Sequence, residues 1–186
     1  MQINALEGGF VNPPIDAAHS FRAILRAMAR PGTIETITGS RPPAPLSIAS
    51  GALILTLCDP ETPVFLGSAH DVAPVHDWIT FHTGAPLVGA SQAHFAIGFW
   101  PDLPLAEFSV GTSEYPDRSA TLIVETAKLI AAGATLRGPG IERESQLNLP
   151  DIKAFQGNAS LFPRGCDFFF TCGDRLAGLP RSTKVS

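Results

Sequence analysis

The chain has 186 residues, 17 of them acidic and 13 basic, for a net charge of −4. That length suits one domain, residues 1–186, with a substantial core, and the lack of any Lys/Arg block excludes a nucleic-acid footprint. Charged residues make up only 16%, a dilution that suits a protein hiding surface against partners.

The amino terminus, MQINALEGGF, has neither a basic start nor an apolar signal core. The longest apolar run, residues 48–58, is shorter than the roughly 20 residues that cross a bilayer. The expectation is a soluble, cytoplasmic protein with no membrane partner. Residues 13–32 then give the clearest helix. Asp16 is placed to cap it, Phe21, Ile24, Leu25 and Met28 recur as one buried stripe, and Pro31-Gly32 stops it. Arg22, Arg26 and Arg30, four apart, fall on one outer face. Such like charges repel weakly, so they form either a solvated face or a surface for an anionic partner or phosphate.

Residues 41–45, RPPAP, form a rigid loop. Residues 47–60 are open between helix and buried strand, and their length and Ala/Leu content favour helix, ended by Asp59-Pro60. Residues 62–67 predict a strand, 71–86 a helix stopped by Gly84, and 94–99 a strand. Residues 121–126, TLIVET, are the apolar run of a central strand. Further strands are expected at 135–141, broken by glycines, and at 165–172. Strands interspersed with helices point to an α/β domain with a mixed sheet.

The usual catalytic signatures are missing: no H-E-x-x-H, no P-loop and no G-x-G-x-x-G. His70, His76 and His82, spaced by six, do not converge as metal ligands, and the His70-Asp71 and His76-Asp77 pairs fit surface pairs. No metal site is expected. Cys58, Cys166 and Cys172 fit apolar filler. GTSEY (111–115) approaches the nucleophile elbow, but Tyr115 replaces its last glycine and the segment precedes a strand, where the elbow must follow one. The loop LRGPGI, with Arg137, could cradle an anion, yet Pro139 lacks the N–H that such a cradle uses. No lysine (Lys128, Lys153, Lys184) stands beside a glycine-rich phosphate loop.

The stretch GTSEYPDRSATLIVET concentrates charge around the one tyrosine. Pro116 pushes Tyr115 towards extended geometry, and YPDR fits a type I turn. Arg118 leaves that turn near Glu114 and Asp117, which predicts a local ion cluster at a strand entry. Tyr115 would be presented on the surface, as an interface or ligand residue.

Taken in order, EGGF, FRAILRAMARPGT, LTLCDPETPV, FHTGAP, GTSEYPDRSATLIVE, LRGPGI, LFPRGCDFFF and LPRSTKV resemble the H-subunit family of the carbon–phosphorus lyase system, from about Glu7 to Val185. Cys58 and Cys166 depart from the aliphatics expected at their positions. The resemblance implies a three-layer α/β fold, a mixed sheet with helices on both faces, similar to pyridoxal-phosphate transferases but without a working cofactor site. It implies a subunit that is not catalytic alone, in a core complex with G, I and J subunits. That complex uses MgATP to join a phosphonate to ribose triphosphate, displacing adenine. No cofactor is expected on this subunit, and no catalytic residue is carried over. The competing readings are a stand-alone α/β enzyme or nucleotide/anion-binding protein of the same fold, and a self-associating structural protein. A homodimer is expected of the isolated chain.

Overall fold

The computed structural model describes residues 6–186; the first five, half of the stretch considered above for a leader, lie outside the described residues. The elements run α1 (Pro13–Ala29), β1 (Glu35–Thr36), α2 (Ile48–Leu57), β2 (Val64–Leu66), α3 (Ala73–Thr83), β3 (Phe95–Phe99), β4 (Thr121–Glu125), β5 (Ala134–Arg137), β6 (Ser145–Leu147), α4 (Ile152–Ser160), β7 (Asp167–Cys172), β8 (Arg175–Leu179) and β9 (Lys184–Val185). A six-stranded mixed sheet has the order β1-β8-β7-β4-β3-β2. Strands β2, β3, β4 and β7 are parallel; β8 alone runs against them, antiparallel to both its neighbours, so that β1 at the edge points the same way as the parallel strands. A second, three-stranded sheet has the order β6-β5-β9, so the strand expected at 135–141 lies outside the main sheet and ends at Arg137, before the glycines.

β4 is central, as its apolar run requires, and its side chains divide the core. Ile123 joins Ile97, Phe169 and the helices α1–α3 on one face. Leu122 and Val124 join Phe168, Phe170 and Phe155 of α4 on the other. Each large side chain so buried contributes about 1.5–3 kcal/mol. The stretch 47–60 resolves as helix α2, capped by Ser47, whose side chain accepts the Ser50 N–H. α3 ends at Gly84 with φ +69°, the left-handed turn glycine favours.

α1 departs from its expected packing in two ways. Its N-cap is Asn12, whose side chain makes no cap bond, and Asp16, in the first turn, reaches back to accept the Asn12 N–H at 2.8 Å, a carboxylate placed where the helix dipole favours it. Its buried face is Ser20, Ala23, Ile24 and Ala27, whereas Phe21 and Leu25 are 49% and 56% exposed. The cause is close approach: a Cβ on Gly178 of β8 would stand 2.7 Å from the Ala27 carbonyl oxygen. A helix held that near the sheet takes small side chains at the closest approach, so Ser20, Ala23 and Ala27 face inward beside Ile24. Of the expected stripe, Ile24 is buried and Met28 packs against the same core, while Phe21 and Leu25 are left outside.

Candidate functional site

Charged groups gather at both ends of the parallel strands. At the amino ends, Asp167 opens β7 beside Thr121 of β4. Arg181, just beyond β8, donates to it through its backbone N–H at 2.8 Å, Nε at 3.1 Å and Nη2 at 2.5 Å. The same guanidinium donates to the Pro116 carbonyl and to Ser119 Oγ. Both side chains are mostly buried, 13% and 23% exposed. Arg181 thus ties the YPDR turn to the sheet with the planar, multi-donor geometry that distinguishes arginine from lysine.

The turn itself forms as the sequence predicts: Pro116–Arg118 is a single 3-10 turn in which the Arg118 N–H donates to the Tyr115 carbonyl at 3.2 Å. Gly111 closes the preceding loop at φ +72°, where a Cβ would meet the Pro116 and Tyr115 carbonyl oxygens at 2.8 and 2.9 Å. The expected ion cluster is different. Arg118 makes no ion pair with Glu114 or Asp117; its guanidinium lies over the Tyr115 ring, 4.0 Å from the centroid. Glu114 instead accepts from Thr112 Oγ1 at 3.4 Å. Tyr115 is half-exposed, and Asp117 and Arg118 line a groove of about 480 Å³ with Thr62, His94, Ser119 and Thr121.

At the carboxyl ends, where open α/β sheets commonly bind ligands, Glu125 ends β4 and is buried. Cross-strand register places Thr171 beside it, and Thr171 Oγ1 donates to Oε2 at 2.9 Å. Oε1 accepts the Ser47 N–H at 2.7 Å and the Ser50 hydroxyl at 2.5 Å. The amino terminus of α2, which carries partial positive charge and unsatisfied N–H groups, therefore holds an anion from the chain itself. Ser50 is fully buried, so its hydroxyl cannot meet a substrate. A cleft of about 330 Å³ lies alongside, lined by Phe99, Trp100, Leu149, Glu125 and Lys128 among others.

His70, four residues past β2, belongs to the same end. The sequence reading placed it in a surface pair with Asp71; it is instead fully buried, with its ring 5.0 Å from that of Phe99. Neither ring nitrogen has a partner among the described residues. Burial lowers its pKa, and Glu125 and Asp102 pull the other way. Asp71 pairs with His76 at 2.5 Å, leaving Asp77 aside. Among the described residues, no three His, Cys, Asp or Glu side chains form a metal-binding group. Burial raises the Cys58 and Cys166 thiols to about 12, which leaves them protonated and unreactive at neutral pH.

Arg22 and Arg26 of α1 and Arg30 at its C-cap are all exposed. Arg26 pairs with Glu35 at 2.8 Å, while Arg22 and Arg30 have no ion pair among the described residues. Arg137, at the end of β5, pairs with Glu144 at 2.8 Å. Its glycine loop is packed against the end of α1: a Cβ on Gly140 would stand 1.9 Å from the Ala29 carbonyl oxygen. The sequence reading missed Arg181, Asp167, Glu125 and His70 as organising residues. Their partners lie up to 78 residues away, and the one local sign was a carboxylate directly at a strand end, for Asp167 and Glu125 only.

Architecture and sites together define an α/β protein whose two withdrawn carboxylates, Asp167 and Glu125, are answered by groups of the chain itself. The chain belongs to the bacterial phosphonate metabolism protein family PhnH, whose family model matches residues 8–186. A relative from Rhizobium meliloti (strain 1021), alpha-D-ribose 1-methylphosphonate 5-triphosphate synthase subunit PhnH, is 39% identical over 196 aligned positions, covering 99% of this chain and 97% of that protein.

Proposed function

We propose that this chain is the H-type subunit of a synthase that forms ribose 1-phosphonate 5-triphosphate from a phosphonate and MgATP, in the breakdown of organic phosphonates. Its role there is assembly and support of the active complex, with the chemistry on other subunits of the G, I and J types. The carrying observation is the end-to-end match to a protein named as a subunit of such a synthase. The site geometry supports the non-catalytic part: the α2 amino terminus is filled by Glu125, so a phosphate-bearing cofactor would have to displace a buried carboxylate to use it. Sparse charge supports burial of surface against partners, including a second copy when the chain is alone.

Co-expression with the other subunits tests this reading. The chain should co-purify with them, and its omission should abolish synthase turnover. A chain that stays alone on a sizing column while the others assemble and remain active would contradict it. Calorimetry with ATP and an absorbance spectrum with pyridoxal phosphate should be silent for the isolated chain; saturable binding of either would favour the enzyme alternative.

A further inference from the structure

The outer face of α1 combines two features that nothing within the described chain uses. Phe21 and Leu25 are half-exposed and join neither core cluster. Ala18 and Ala29 extend the same line at helical spacing and are exposed as well. Arg22 borders this ridge on one side and Arg30 stands at the helix C-cap, both without an ion-pair partner among the described residues. Beside it, a groove of about 300 Å³ between α1 and β1 is lined by His19, Arg22, Arg26, Thr36 and Thr38 among others. An apolar ridge with two large residues spaced by four, continued by alanines at helical spacing and bordered by cations, matches helix-on-helix packing.

Charge decides between occupants. A second copy docking the same face across a twofold axis would bring the same patch to itself. That puts Arg22, Arg26 and Arg30 of both chains together, and α1 offers only Asp16 in return, which already accepts the Asn12 N–H; Glu35 is engaged by Arg26. A partner helix with acidic residues beside its apolar stripe would satisfy the free guanidiniums, and arginine is enriched in such interfaces. We infer that the outer face of α1 is the docking surface for an acidic amphipathic helix of another synthase subunit. The inference rests on the functional reading above and adds to it a location and a partner chemistry.

The test compares wild type with two double variants, Phe21→Ser/Leu25→Ser and Arg22→Glu/Arg30→Glu, each co-expressed with the complete set of other subunits. Recovery of those subunits with the tagged chain should drop at least tenfold for both variants, and wild-type recovery should fall as salt is raised. Thermal melts of the isolated variants should match wild type, because the altered side chains are exposed; if the serine pair fails to fold, the glutamate pair carries the test. Unchanged recovery with the variants, while wild type assembles, overturns this inference alone. Loss of self-association in the isolated variants, with subunit capture intact, assigns the face to a second copy and also overturns it. Failure of wild type itself to assemble removes the functional reading, and this inference with it.

Discussion

The two ends of the parallel strands solve the same problem in opposite ways. Each carries a carboxylate largely withdrawn from water. At the amino ends Asp167 is answered by a full opposite charge, Arg181, which also gathers the Pro116 carbonyl and Ser119. At the carboxyl ends Glu125 is answered by dipoles alone: one backbone N–H at the start of α2 and two hydroxyls. The first is a tie between a surface turn and the sheet; the second is a plug at the position where sheets of this kind usually admit a ligand. A buried carboxylate is therefore not by itself an active site. What distinguishes the cases is whether its partners leave any face open.

Removing the ion partner at the amino ends is expected to have the largest effect. Arg181→Ala leaves Asp167 without its cation and should cost about 3–5 kcal/mol, the range for breaking a buried pair on one side, read by denaturant unfolding. Arg181→Lys should recover only part, since a lysine cannot reproduce the forked contacts. A loss under about 1 kcal/mol for Arg181→Ala would mean that the amino-end tie is ornamental. Glu125→Gln should cost less, about 2 kcal/mol, because the amide retains one acceptor while a buried donor loses its partner. If Glu125→Gln proved more damaging than Arg181→Ala, the contrast between charge and dipoles would be reversed.

His70 sharpens the same contrast through pH. Its folded pKa lies below the unfolded value of 6.5 because burial disfavours the cation. The unfolded chain therefore binds more protons, and stability rises with pH through that region. Stability should be complete above pH 6.5 and decline as pH falls below it, at no more than about 1.4 kcal/mol per pH unit from this one group. His70→Leu should flatten that part of the profile. An unchanged acid limb in the variant would show that His70 titrates normally in the fold. The smallest effect is expected at the turn's surface: Arg118→Ala removes a cation–π contact worth about 0.5–1 kcal/mol and should leave the melt nearly unchanged.

Legibility followed sequence distance. TLIVET announced the central strand because a strand flanked on both sides by parallel neighbours must be apolar on both faces. The helix stop at Gly84 and the YPDR turn were equally local, and both are present. α4 was missed because Gly157, Asn158 and Ser160 weaken its helical pattern, leaving the cap at Asp151, which accepts the Ala154 N–H, as its main sign. Half of the α1 stripe was misassigned: Ile24 and Met28 do meet the core, but Phe21 and Leu25 do not, because periodicity marks the largest side chains whereas the approach of Gly178 favours small ones beside Ile24. Arg118 was the cation nearest to Asp117 in sequence, yet the turn aims it at Tyr115, and the residue that holds the turn arrives 62 to 65 positions later.

The central claim is that this chain supports a synthase without performing its chemistry. It is tested most directly by the turnover of assembled complex carrying Glu125→Gln, with MgATP and a phosphonate, normalised to the amount of complex formed. The account predicts turnover within about threefold of wild type wherever assembly is preserved. A loss of a hundredfold or more in fully assembled complex, the scale seen when a preorganised catalytic group is removed, would contradict it and make the carboxyl-end cluster an active site.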